Sequence, residues 1–216
     1  MPRISVRCLP EVKLMSSVAS DRLITLDLNQ PLWDRFFTVA PLVIIGSKEA
    51  NGNYDLAPKH MAMPFGWDNY FGFICTPRHG TYQNIVREKV FSVSFPQPNQ
   101  ILLTSLTAIS RCEQNQKPTL SILPTFPTTK IDSVYLENSY LYLECQLDRI
   151  IDGFGDNSLI IGKIIEAQVQ EKALRRSDRD DQDILLDIPL LVYLSPGRYS
   201  IIDHSFSFPF HARFHR

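Results

Sequence analysis

Short apolar runs, each closed by a turn signal within a few residues, constrain this chain more than any other feature. Residues 39–45 are continuously apolar and stop at Gly46, the pattern of a buried strand, and Asn51-Gly52 follows as a turn signal. Tyr70-Phe71-Gly72-Phe73-Ile74-Cys75 reads as the next strand, with Gly72 marking close approach of a backbone or a ligand. Val90–Phe95 alternates, placing Phe91, Val93 and Phe95 on one face. Residues 139–148 alternate again, with Leu141, Leu143, Cys145 and Leu147 on one face and Tyr142, Glu144 and Gln146 on the other. Residues 158–169 and a short segment at 198–202 complete the strands. Helical spacing is confined to two places. Thr81 is placed to cap a helix over residues 82–89 that ends near Lys89, and Ile101, Leu102, Leu106 and Ile109 follow helical spacing within residues 98–110. With 15 prolines and so few helices, the chain predicts a mainly β fold, a closed or partly closed barrel rather than a doubly wound sheet.

A length of 216 residues suits one domain with a substantial core. The organised part is expected over residues 31–216, with residues 1–30 as an N-terminal arm of unread role. The net charge of −1 argues against a nucleic-acid or membrane-surface partner. The one basic cluster, Arg175, Arg176 and Arg179, is interleaved with Asp178, Asp180 and Asp181 and reads as a solvated loop. Cys8, Cys75, Cys112 and Cys145 lack metal-ligand spacing, so no metal site is expected, and Cys75 and Cys145 fall in apolar runs as core residues. No apolar run is long enough to span a bilayer, and a reduced, cytoplasmic setting is the expectation.

Two segments carry candidate chemistry. In Ala57-Pro58-Lys59-His60-Met61, the Ala-Pro pair predicts a turn with exposed backbone N–H groups; on the residues alone, a plain structural turn is the better explanation. In Thr76-Pro77-Arg78-His79-Gly80-Thr81-Tyr82-Gln83-Asn84, a helix start, a hydroxyl and the Arg78 guanidinium arrive together. That combination makes a phosphate cradle out of what could otherwise be a cap and a surface arginine. His79 either joins this cradle or only lines the loop. No nucleophile elbow, Cys-His pair or G-x-G-x-x-G after a strand is present, so neither covalent catalysis nor a Rossmann-type site is indicated.

These segments resemble the flavin reductase-like family of FMN-binding split β-barrels, whose pattern includes G-x-x-N-x-A-P-x-S and then T-x-x-N-I. Here they read Gly52-Asn53-Tyr54-Asp55-Leu56-Ala57-Pro58-Lys59-His60 and Thr81-Tyr82-Gln83-Asn84-Ile85. The resemblance extends over roughly residues 31–202. It implies FMN as cofactor, held by Ala57, Pro58, Lys59, His60 and Met61 along the ring edge. It further implies Arg78, His79, Thr81 and Asn84 at the phosphate, and Arg198, in a closing Gly197-Arg198-Tyr199, for an anionic group. Asp55 stands where the family has Asn and His60 where it has Ser; Asp55 is expected to turn outward or to pair with Lys59. Gly155-Asp156-Asn157 matches the family's G-D-H, with Asn157 in place of the His that seats nicotinamide or substrate, and Asn cannot act as an acid or base near neutral pH.

The family implies a homodimer with the flavin near the subunit interface. The aromatic tail Phe206-Ser207-Phe208-Pro209-Phe210-His211-Ala212-Arg213-Phe214 is expected to dock on the barrel or on the second subunit. Trp33, Arg35, Trp67 and Asn69 are further candidates for the flavin face, although tryptophans more often pack in cores or interfaces. Two functions follow: an FMN-dependent oxidoreductase using NAD(P)H as a transient co-substrate to reduce flavin or a small acceptor, or an FMN-binding electron carrier that serves another redox protein. Asn157 favours the carrier, and the otherwise complete loop set favours the oxidoreductase. An all-β barrel with an incidental Arg78–Thr81 cluster is the third reading.

Overall fold

A computed structural model describes residues 23–112 and 117–210. Cys8, most of the N-terminal arm and the end of the aromatic tail from His211 lie outside the described residues. The chain divides into Met1–Leu32 and Trp33–Arg216. In the first unit, a turn is held by the Asp27 carboxylate, which accepts from the backbone N–H and side chain of Asn29, each at 2.9 Å.

In the second unit, strands β1 (Thr38–Pro41), β2 (Val43–Lys48), β3 (Tyr54–Lys59), β4 (Ala62–Pro64) and β5 (Tyr70–Cys75) precede helix α1 (Gly80–Glu88). Strand β6 (Val90–Phe95), helix α2 (Ile101–Leu106), β7 (Thr125–Pro127), β8 (Val134–Leu136), β9 (Leu141–Phe154) and β10 (Asn157–Val169) follow. Helix α3 (Asp181–Asp187), β11 (Leu190–Ser195) and β12 (Arg198–Ile202) end the described elements. The main sheet is antiparallel with the order β3-β2-β6-β9-β10-β5-β4, beside a three-stranded sheet β1-β11-β12 and the pair β7-β8. No helix among the described residues is long and apolar enough to cross a membrane.

One connection dictates the curvature of the main sheet. Its two edge strands, β3 and β4, are joined by only His60 and Met61. Three Cα–Cα steps span at most about 11 Å, so the edges must come together and the sheet curls into a barrel. β3 and β4 are not hydrogen-bonded to each other, which leaves a seam: the barrel is split at His60 and Met61. Val43, Ile45, Phe71, Phe73, Ile85, Phe91, Val93, Leu143, Cys145 and Ile160 fill the interior. On the opposite face of β2, Ile44 packs with Leu56, Leu123 and Leu136 under the chain between β6 and β9. Both faces of β2 are therefore covered, which is why its run is continuous instead of alternating.

Several local expectations change. The apolar run at 39–45 is two strands in two sheets, β1 pairing with β11 and β2 with β3 and β6. Ala57 and Pro58 do not make a turn; they lie within β3, where Pro58 is tolerated because β3 is a sheet edge. The helical run at 98–110 is a 3₁₀ turn (Pro98–Gln100) leading into the six residues of α2. Gly72 does mark a close approach: a Cβ there would lie 2.6 Å from the Phe65 ring and 2.9 Å from the Ile160 carbonyl oxygen. Asn51-Gly52 turns β2 into β3, with Gly52 at φ +87°.

The described part of the tail is tied at its base, where the Gln182 side chain donates to the Asp203 carbonyl at 2.7 Å and accepts from the Ser205 N–H at 2.8 Å. Beyond it Phe206 and Phe208 are exposed, and the rings of Phe208 and Phe210 meet with centroids 4.6 Å apart.

Candidate functional site

The seam, the loop before α1 and the tip of the β9–β10 hairpin supply the polar residues. His60 sits half-buried in the seam with its ring on Tyr193 of β11, centroids 4.5 Å apart and planes tilted by 34°. The Tyr193 hydroxyl accepts from the Gly197 N–H at 2.7 Å, so the aromatic support is itself fixed at the turn into β12. Burial first, and then the charge of Lys59, push the His60 imidazole below its ordinary pKa. His60 is thus neutral at pH 7, and an NMR titration is expected to place its midpoint below 6.5, with Lys59→Met moving it upward. A midpoint at or above 6.5 would contradict the buried, Lys59-facing ring. Met61 is exposed beside it, and its carbonyl accepts from the Ile74 N–H at 2.8 Å.

Helix α1 starts two residues earlier than the sequence predicts. Its N-cap is His79, whose side chain makes no capping bond, and no acidic residue lies in its first turn. Thr81 is therefore inside the helix and buried, and its hydroxyl donates at 3.3 Å to the Asp55 carboxylate. Asn84 is buried too: its amide donates to Ser47 Oγ at 3.1 Å and its oxygen accepts from Arg87 at 3.2 Å, which ties α1 to β2. The His79 imidazole is pushed down by burial, then by the charges of Lys59, Lys117 and Arg78. Cys75, at the end of β5, is a core residue whose thiol is pushed up, chiefly by burial, as the apolar run predicts.

Asp55 overturns its expectation. It neither faces solvent nor pairs with Lys59. Its side chain is 1% exposed, and its carboxylate lies 2.8 Å from Lys117 Nζ and 3.3 Å from Arg111 Nη2. The reason is topological: β3 is an edge, and the chain following α2 wraps over it. Lys117 also donates to the carbonyls of Leu56 and Thr107, at 3.1 and 3.2 Å. Arg111 pairs in addition with Glu49. Neither Arg111 nor Lys117 belongs to a motif, and no spacing in the sequence points to them. The two cations also border a cavity of about 490 Å³ on the opposite face of β3, floored by Leu56, Leu120 and Val134 beside Tyr54.

The outlying candidates are placed as follows. Arg78 is exposed and pairs with Asp156 at 2.7 Å, bridging the loop before α1 to the hairpin tip. Asn157 opens β10 opposite Phe154 and is exposed. Arg198, opposite Leu194 in β12, is exposed in the same small sheet as Tyr193. Trp33 meets Phe36 edge-on, and Asn69 uses its carbonyl to accept from the Ile164 N–H at 2.8 Å. Among the described residues no group of three or more His, Cys, Asp or Glu is placed to hold a metal.

The donor set fits a phosphorylated flavin. Among the described residues, the cations Lys59, Arg78, Arg111 and Lys117 and the carboxylates Glu49, Asp55 and Asp156 lie around the start of α1. Thr76 Oγ1, in the loop just before it, is buried without a hydrogen-bond partner. An orphaned hydroxyl and helix amides with no side-chain cap accommodate an anion.

Comparison with known proteins agrees with this geometry. The family profile described as "Flavin reductase like domain" matches residues 35–200, and the chain belongs to this family. Among solved structures it is similar to nitrilotriacetate monooxygenase component B from Bacillus cereus, with a TM-score of 0.74 and 17% identity over 88% of this chain and 100% of that one. It is similar to flavoredoxin from Methanosarcina acetivorans, with a TM-score of 0.71 and 17% identity over 89% of this chain and 97% of that one. An FMN-binding protein from Thermus thermophilus, solved with bound 1-cyclohex-2-enone, aligns with a TM-score of 0.69 and 19% identity over 87% of this chain and 99% of that one. At these identities the likeness establishes the split-barrel fold. No curated protein sequence matches the chain.

Proposed function

We propose that this protein binds FMN at the barrel seam and works as an NAD(P)H-dependent oxidoreductase of the flavin reductase type. The observation that carries the reading is that Lys59, at the seam end of β3, acts by its charge on His79 at the uncapped start of α1. When bound, FMN supplies the two-electron redox chemistry, so the chain needs no nucleophile of its own. Its residues bind and orient. The Ala57–Met61 segment lines the ring edge, and neutral His60, held on Tyr193, offers a ring nitrogen as donor or acceptor there. Arg78, His79 and the first-turn amides of α1 hold the phosphate. Thr81 and Asn84 contribute through the helix they fasten, and Arg198 is available to an anionic group from the neighbouring sheet.

A homodimer fits the exposed apolar residues of the small sheet and tail, Val39, Tyr199, Ile201 and Phe206 among them, with the tail docking on the second subunit. The second reading, an FMN-binding carrier for another redox protein, is favoured by one observation: Asn157 offers no acid or base where the family has His.

The test is the visible spectrum of protein desalted after incubation with FMN, before and after anaerobic NADH or NADPH. Retained flavin absorbance that bleaches is the expected result, and Arg78→Ala is expected to weaken retention. Flavin retained but unbleached by either nucleotide would select the carrier. No retained flavin would remove the cofactor assignment for a tight site.

A further inference from the structure

His60 occupies the two-residue link that joins the edge strands β3 and β4, so the seam of the barrel opens beside it. Its ring is held by one face on Tyr193, whose hydroxyl is fixed in turn by the Gly197 N–H. A ring gripped by its face keeps its nitrogen-bearing edge free. Among the described residues neither ring nitrogen is hydrogen-bonded, and the side chain is only half-buried. Lys59 of β3 and Tyr193 of β11 are the charged and titratable groups that face it; among the described residues no carboxylate acts on it. An imidazole that is neutral, bare at its edge and without a counter-charge binds a proton more tightly once negative charge arrives beside it.

The opposite side of the question is Asn157. It stands at the start of β10 where the family has His, and its amide cannot exchange a proton near neutral pH. Any proton exchange in the site must therefore come from elsewhere, and His60 is the titratable ring in the seam.

We propose that His60 is the proton-exchanging residue of this protein: its imidazole takes up one proton when the bound flavin is reduced and returns it on reoxidation. Tyr193 is a positioning residue that presents the ring edge. The inference rests on the assignment of FMN to the seam. Hydride transfer breaks a C–H bond of the reduced nicotinamide and forms an N–H bond on the flavin, carrying two electrons and one proton and adding one negative charge there. The second proton passes from solvent to a His60 ring nitrogen. An acceptor that gains two electrons and two protons restores the starting state.

The test follows the imidazole signals of full-length, FMN-loaded protein by NMR as pH is varied, first oxidised and then reduced with dithionite. Each imidazole is assigned through its backbone connectivities. The His60 midpoint is expected to rise by about 1–3 pH units on reduction, the range for an opposite charge within about 4–6 Å. His79, at the start of α1, is expected to move less, and Tyr193→Leu should shrink the rise at His60. Between about pH 7 and 8 the midpoint potential of the bound flavin should fall more steeply with pH in the unaltered protein than in His60→Gln, where one proton fewer accompanies the electrons. A His60 midpoint unchanged by reduction, equal rises at His60 and His79, or equal pH slopes in the two proteins overturns the proposal and leaves FMN binding standing. If His60→Gln does not fold or does not hold flavin, the two histidine midpoints in the unaltered protein decide alone. A protein that retains no flavin overturns the cofactor assignment and this inference together.

Discussion

Replacing Glu144 with alanine is expected to cost about 3–5 kcal/mol of folding free energy, seen as a fall of about 6–20 °C in Tm. Glu144 lies in β9 with 0% of its surface exposed, yet its carboxylate is fully partnered. Oε1 accepts from the Thr129 N–H and hydroxyl, both at 2.7 Å; Oε2 accepts from the N–H groups of Lys130 and Ile131, at 2.7 and 2.9 Å. Three successive amides between β7 and β8 form a concave nest around one anion. Truncation would remove the common acceptor of four donors and release the loop that carries Asp132, the partner of Lys48 and Tyr54.

Glu144 also gives a pH dependence with a definite sign. Burial acts to raise its pKa, but the bonds from Thr129, Lys130 and Ile131 outweigh it and hold the carboxyl below the usual carboxylate range. A group depressed in the folded state stabilises fully above its unfolded pKa, about 4.3, and loses that contribution as pH falls through the lower folded value. Urea midpoints are expected to be insensitive to this group from pH 7 to 5 and to drop below pH 4 in the unaltered protein. Glu144→Gln should be less stable at pH 7 and should show a smaller acid drop. A midpoint for Glu144→Ala equal to that of the unaltered protein at pH 7 would refute the role.

The second large effect is expected at Asp55. Asp55→Leu should destabilise by about 3–5 kcal/mol, because it strands Lys117, with a side chain only 10% exposed, without its buried counter-charge and takes one of two carboxylates from Arg111. The penalty comes from the stranded Lys117 more than from lost attraction. Adding Lys117→Met to Asp55→Leu is therefore expected to recover about half of the loss in a double-mutant cycle. Strict additivity of the two substitutions would show that the pair is not coupled. Since Lys117 also secures the Leu56 and Thr107 carbonyls, recovery should stop short of full stability.

These two carboxylates show where reading the chain by pattern stops. Position 144 alternates with the apolar Leu143 and Cys145, so by period it belongs to a polar outer face. It becomes buried only because residues between β6 and β9 fold back over that face. Asp55 stands where the family pattern has Asn, and nothing near it in the chain announces Lys117 or Arg111. Thr81 has the residue type of a cap, but the helix begins at Gly80, whose bare Cα leaves room for Arg111.

The strands β5, β6, β9, β10 and β12, the Asn51-Gly52 hairpin, the shared face of Phe91 and Val93, the core positions of Cys75 and Cys145, and membership of a flavin-binding barrel family were legible in the residue pattern. Backbone preference and side-chain period are properties of near neighbours, so they survive in a linear text. The seam at His60 and Met61, the strand made of Ala57 and Pro58, and the partners of Asp55 and Glu144 emerged only with chain closure. Thr81 reaches Asp55 across 26 residues and Arg111 reaches Glu49 across 62. Which distant group neutralises a buried charge depends on how the sheet curls and which segment covers its edge, and no local pattern encodes that.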